Sequence, residues 1–205
     1  MTLFGIFGAG GCGRGILPLV RGMMKEDQSA VFVDDNQAGR FVNGAPVLTR
    51  KEFCAEHDRR ICIAIADPAT RRRLDSMCRA DRLEFFSVRA ENSIIMDDVS
   101  MGEGALLSPF TTITSNVRIG SHFHLNIYSY VEHDCRIGDF VTFAPSVRCN
   151  GNVMIGDGAY IGSNAVIKQG LQIGAGAVVG MGAVVTRDVP PGETWVGSPA
   201  RPLKG

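Results

Sequence analysis

The sequence predicts a chain of two parts: a small parallel α/β sheet over residues 1–90, then a stacked β-solenoid over residues 91–205. Three observations carry that expectation. An apolar strand runs into the glycine loop Gly8-Ala9-Gly10-Gly11-Cys12-Gly13. From Ile95 onward, every sixth residue is apolar. An Ile-Gly or Met-Gly pair then returns every 18 residues.

In the first part, "TLFGIFG" reads as a strand and "RGILPLVRGMM" as a helix. "AVFVDD" is a second strand ending in Asp34-Asp35, and "RICIAIAD" a third, followed by the basic, helix-like "PATRRRLDSMCRA". Strands alternating with helices argue for a parallel sheet. The glycines match G-x-G-x-x-G between strand and helix, with acids about 20 residues further on. Backbone N–H groups at such a helix start suit a pyrophosphate, and a carboxylate there can accept from a ribose or a base. A tight turn without a ligand is the plainer alternative. About 90 residues leave no room for a full two-lobed dinucleotide site.

In the second part the sixth positions run without a slip: Ile95, Met101, Leu107, Ile113, Ile119, Leu125, Val131, Ile137, Phe143, Cys149, Ile155, Ile161, Ile167, Ile173, Val179 and Val185. A second, mostly small or β-branched series follows four residues after each. Period six fits neither a helix nor simple strand alternation, and it indicates short strands turning a corner every six residues. The pairs Met101-Gly102, Ile119-Gly120, Ile137-Gly138, Ile155-Gly156 and Ile173-Gly174 show that three strands make one coil. Glycine at one corner of five coils is expected to supply a positive φ.

Composition narrows the function. The 21 basic and 21 acidic residues cancel, which argues against nucleic acid or an anionic membrane as partner. The 25 glycines exceed the usual share of about 7%. Six cysteines show no CxxC pair, and with no signal peptide at the N-terminus they are expected to be free thiols in a cytoplasmic protein. No apolar run approaches the roughly 18 residues that span a bilayer.

"VEHDCRIG" interrupts the apolar clock. Val131 and Cys135 hold inward positions, so His133 and Asp134 face outward. Gly151 lies one coil above His133 and Ser115 one coil below, so the histidine is expected to have open space over it. A solvated histidine is the plain reading of such a residue. The adjacent acid favours a base, since a carboxylate can orient an imidazole. A zinc site on His122, His124 and His133 fits only loosely. Cys135, facing inward, reads as packing rather than as a nucleophile.

The motifs "FGAGGCG", "FVDD", "LNIYSYVEHDC" and the tail "DVPPGETWVGSPARPL" span nearly the whole chain. Together they resemble the bacterial nucleotide-amino-sugar N-acetyltransferases, hexapeptide-repeat proteins related to the sialic-acid O-acetyltransferases. The resemblance implies a left-handed β-helix. It also implies transfer of acetyl from acetyl-CoA to the 4-amino group of a nucleotide-linked 4-amino-4,6-dideoxy sugar, serving surface-glycan synthesis. By resemblance His133 is the general base and Asp134 its orienting acid, with direct attack and no metal. Gly10, Gly11, Cys12, Asp34, Asp35 and Asn126 would meet the nucleotide sugar. Thr142, Gly151, Ser163 and Met181 would meet acetyl-CoA between the β-helices of a homotrimer. The chain departs from the family at Cys12, where some members have histidine, and at Ala66, where many have glycine. Thr142 replaces a histidine of some members.

Three other readings compete. An O-acetyltransferase would use the same histidine on a sugar hydroxyl. A non-catalytic nucleotide-binding trimer would have no use for an outward His-Asp pair. An NAD-dependent redox enzyme rests on the glycine motif alone.

Overall fold

The computed structural model describes residues 2–203. Contacts divide the chain into a first unit ending at Val88 and a second beginning at Arg89, with Asp67–Ala69 counted in the second.

The first unit is built on β1 (Thr2–Phe7), which pairs in parallel with both β2 (Gln28–Val33) and β5 (Arg59–Ile63). Helix α1 (Gly11–Met23) buries Gly13, Ile16, Leu17 and Val20, the i, i+3, i+4, i+7 stripe of a helix lying on a sheet. Three features go beyond the sequence expectation: a hairpin, a short helix and an edge strand. Strands β3 (Phe41–Val42) and β4 (Ala45–Leu48) form an antiparallel hairpin. Its turn is Asn43-Gly44, with φ of 48° and 72°, the conformation that Asn-Gly hairpin turns require. Helix α2 (Arg50–Ala55) starts at a reciprocal capping box between Thr49 and Glu52. After α3 (Pro68–Ala80) the edge strand β6 (Glu84–Phe85) completes the order β3-β4-β2-β1-β5-β6.

The second unit is a parallel β-helix with three faces. Partners 18 residues apart stack as Thr112, Tyr130, Arg148, Val166 and Val184 on one face. Arg118, Arg136, Met154 and Gln172 stack on the next. His124, Thr142, Tyr160 and Val178 stack on the third. The sixth-position residues from Leu107 to Val185 form one continuous buried core. Ile95 and Met101 pack against its lower end, and Trp195 is buried in the same cluster.

The corner glycines correct the sequence expectation. Every sixth residue from Asp98 to Gly182 is left-handed, with φ between 52° and 76°. Gly102, Gly120, Gly138, Gly156 and Gly174 are not among these residues; each lies two positions before one. What they require is the absence of a side chain. A Cβ on Gly138 would sit 2.7 Å from the Asp157 nitrogen of the next coil, and one on Gly156 would sit 2.5 Å from the Ala175 nitrogen. At two of these corners the room admits an aspartate that ties the coils together. Asp139 accepts from the Ser121 N–H at 2.7 Å, and Asp157 accepts from the Asp139 N–H at 2.9 Å.

Candidate active site

His133 and Asp134 lie at the corner that follows the strand Tyr130–Val131. Asp134 is the left-handed residue of that corner, with φ of 60°, a conformation that aspartate and asparagine tolerate better than most side chains. Backbone bonds hold the corner from both sides. The Asp134 N–H donates to the Ser115 carbonyl below at 3.1 Å, and the His133 carbonyl accepts from Asn152 above at 2.7 Å.

The two side chains are 61% and 53% exposed and meet at 2.8 Å, His133 Nδ1 to Asp134 Oδ2. A carboxylate only accepts, so the neutral ring carries its hydrogen on Nδ1 and keeps its lone pair on Nε2. Asp134 Oδ1 in turn accepts from Asn116 Nδ2, one coil below, at 3.2 Å. The bond to Asp134 raises the imidazole above the ordinary histidine value, outweighing a small loss of hydration. The bonds from His133 and then from Asn116 hold the Asp134 carboxyl below its ordinary range.

The space over His133 is not open. A Cβ on Gly151 would lie 2.5 Å from His133 Cε1 and 2.6 Å from Nε2, so the imidazole itself fills the room that the missing side chain leaves. Beside this corner the Tyr130 hydroxyl donates to Asn150 Oδ1 at 3.0 Å. Burial raises the Tyr130 phenol, with the Glu132 charge adding to the effect. Cys135 is fully buried, donates to the Asn150 carbonyl at 3.2 Å and accepts from the Val153 N–H at 3.4 Å.

The remaining β-helix residues singled out by sequence fall elsewhere. Asn126, Ser163 and Met181 line a different corner, each after a strand of the face that carries Thr142. Met181 is 82% exposed, Thr142 is buried, and the Asn126 side chain accepts from the neighbouring Ile127 N–H at 2.8 Å. Thus Gly151 alone of the four expected cofactor residues shares the His133 corner. His122 and His124 are both buried, and His122 stacks on Phe140 with centroids 5.1 Å apart. Among the described residues no group of three or more His, Cys, Asp or Glu is arranged to hold a metal ion. Along the face of Arg118, Arg136, Met154 and Gln172 runs a groove of about 750 Å³ lined by the corner pairs Ile119-Gly120 to Ile173-Gly174 and by none of the expected site residues.

In the first unit the backbone requires two glycines of the loop, Gly8 and Gly13. Gly8 is left-handed at φ 100°. A Cβ on Gly13 would collide with the Gly8 carbonyl, while Gly10 and Gly11 face open space. Gly10 caps α1 without a side-chain bond, so first-turn N–H groups have no acceptor within the helix. Burial raises the Cys12 thiol, an effect that Arg71 partly offsets. Asp34 accepts from the Ala9 and Asn36 N–H groups, each at 3.1 Å, and from the Gln37 amide at 3.0 Å. Asp35 accepts from the Arg50 N–H at 2.8 Å, at the start of α2. Asp34 therefore holds the glycine loop, and Asp35 the start of α2.

Asn116, Tyr130 and Asn150 are the neighbours of the His133 corner that sequence reasoning missed. One signal was available for Asn116. Asp98, Asn116, Asp134 and Asn152 are spaced 18 apart, and all four are left-handed.

No described helix is long and apolar enough to cross a membrane. Residues 4–77 match the family of the PglD N-terminal domain, and residues 152–187 match the bacterial transferase hexapeptide (six repeats). The chain is 48% identical to a GDP-perosamine N-acetyltransferase of Escherichia coli O157:H7, over 100% of this chain and 97% of that protein. Among solved structures, WeeI from Acinetobacter baumannii AYE is 48% identical with a TM-score of 0.95, covering 99% of this chain and 100% of that one. The acetyltransferase domain of PglB from Neisseria gonorrhoeae FA1090, in complex with acetyl coenzyme A, is 26% identical with a TM-score of 0.92, over 98% of each chain. A glycine-loop α/β unit joined to a left-handed hexapeptide β-helix, with this kinship along its whole length, makes the chain a member of the bacterial nucleotide-amino-sugar N-acetyltransferases.

Proposed function

We propose that this chain transfers the acetyl group of acetyl-CoA to the 4-amino group of a GDP-linked 4-amino-4,6-dideoxy sugar, with His133 as general base. The observation that carries the base assignment is the exposed imidazole whose Nδ1 is held by Asp134, leaving Nε2 as the free basic nitrogen. GDP is favoured by the full-length relative, named for a GDP-linked substrate. The donor is favoured by the acetyl coenzyme A complex of the structural relative.

The steps follow from the acid–base chemistry. A sugar amine is mostly an ammonium at neutral pH. That surplus proton is lost to solvent before reaction. The free amine then attacks the thioester carbonyl while Nε2 takes a proton from the attacking nitrogen, and the Asp134 carboxylate stabilises the imidazolium that forms. The tetrahedral adduct collapses with cleavage of the C–S bond, and the imidazolium gives its proton to the leaving thiolate, which restores the neutral base and releases coenzyme A as its thiol. Proton transfer of this kind contributes about 10²–10⁴ in rate. Cys135 takes no part, because its sulfur is buried and turned inward. The pyrophosphate of the nucleotide is assigned to Gly10, Gly11 and the first-turn N–H groups of α1. Asp34 acts there through its bond to Ala9, shaping the loop. The working form is a cytoplasmic homotrimer, and the product serves surface-glycan synthesis.

A thiol-release assay with acetyl-CoA tests the reading against GDP-, UDP- and dTDP-linked 4-amino-6-deoxy sugars. Release with the GDP sugar, lost at least 10²-fold in His133→Ala, is the expected result. Equal activity in the variant removes the base assignment. Release only with UDP or dTDP sugars removes the nucleotide assignment.

A further inference from the structure

Each coil of the β-helix places one left-handed residue at the His133 corner, and from Asp98 to Asn152 all four are Asp or Asn. The other two corners are filled differently. One carries Phe110, Tyr128, Ser146, Asn164 and Gly182, and the other Gly104, His122, Phe140, Gly158 and Gly176. Backbone preference favours Asp and Asn at such positions, but the other two corners admit glycine and aromatic residues as well, so the run of four Asp and Asn below Gly170 invites a second reason.

The column is wired as well as aligned. At its foot Asp98 receives the Arg118 guanidinium, 2.9 Å to each carboxylate oxygen. Two coils up, Asp134 is held through both oxygens, by Asn116 at 3.2 Å and His133 at 2.8 Å. A carboxylate anchored at one oxygen only can rotate about its Cβ–Cγ bond and leave the ring. Anchored at both, it fixes the imidazole plane and its tautomer.

We infer that Asn116 is a positioning residue for acetyl transfer: its amide locks the Asp134 carboxylate so that His133 presents Nε2 in the base-competent tautomer. The inference rests on the reading of His133 as base, and Asn116 itself touches no reacting atom. The other ionisable groups near the ring are Glu132 and Cys135, both on the same corner segment.

Two variants isolate the amide. Asn116→Gly keeps the left-handed backbone without strain and removes the donor. Asn116→Asp keeps the shape and replaces the donor with a second carboxylate. The imidazoles are followed by ¹H–¹⁵N NMR across pH; the chain has four histidines, and His133→Ala assigns the resonance. In Asn116→Gly the expected result is a smaller share of the Nδ1–H tautomer and a titration shifted down toward the ordinary value. In Asn116→Asp the titration moves up. The acid limb of the kcat profile follows each shift, and kcat in Asn116→Gly falls about tenfold with the KM for acetyl-CoA unchanged. A purely structural role would not move the two titrations in opposite directions. Unchanged tautomer and titration in both variants overturn the inference. Failure of the wild-type protein to acetylate any amino sugar instead overturns the proposed function, and the NMR result still decides the role of Asn116.

Discussion

Gly151→Ala tests how closely the β-helix fits the base. Gly151 does not have a left-handed φ, so alanine brings no backbone strain. Its Cβ meets His133 Cε1 at 2.5 Å and Nε2 at 2.6 Å. Non-bonded carbons rest at about 3.5–4.0 Å, so the ring must withdraw by about 1 Å or rotate away. The ring is 61% exposed, and its far edge can move outward without disturbing the core. Gly151 is itself buried, but the atoms its Cβ crowds belong to a side chain free to swing outward, so the expected change in unfolding free energy stays small, about 0.5 kcal/mol. The cost falls on chemistry, because a misplacement of about 1 Å at a reacting group is worth on the order of 10² in rate. Thiol release at saturating acetyl-CoA and sugar reads kcat, and denaturant unfolding reads stability. A loss near 10² in kcat with unchanged stability is the expected pair of results. Full kcat in the variant would refute the argument that the glycine exists to seat the imidazole. A rise confined to the KM for acetyl-CoA would assign Gly151 to cofactor contact instead.

The bond to Asp134 raises the imidazole above 6.5, and the base must be neutral, so activity should fall as pH drops through that raised value. Asp134→Asn, which tolerates the same left-handed backbone, should move this limb to lower pH and reduce the plateau by about 10²; a pH–rate profile with the limb unmoved contradicts the pairing. Gly138→Ala should destabilise by about 1–3 kcal/mol through crowding of the next coil, and Gly138→Asn should fare no better in denaturant unfolding. An asparagine variant as stable as wild type would restore positive φ as the reason for that glycine.

The solenoid was legible because its period is geometric. Three strands to a coil force the same inward environment on every sixth residue, and the buried run from Leu107 to Val185 follows the series. The corner glycines were misread because glycine lacks two things at once, a Cβ and a φ restriction, and recurrence does not say which absence matters. The positions that are left-handed hold His122 and Phe140 among their residues, side chains that hide a backbone signal. In the first unit Asn43-Gly44 and Thr49 with Glu52 were local signals for the hairpin and α2. The acid pair shows the opposite case. Sequence placed Asp34 and Asp35 at the end of a strand, but not their bonds to Ala9, Asn36, Gln37 and Arg50. At the site, His133 and Asp134 could be paired because they are adjacent. Asn116 is 18 residues from Asp134, Asn150 is 20 from Tyr130, and Asp98 is 20 from Arg118. In a β-helix such separations amount to one coil, a spacing of about 4.8 Å between paired strands. Side-chain partners in this fold are therefore to be sought near one coil's length along the chain, once the register of the core is known.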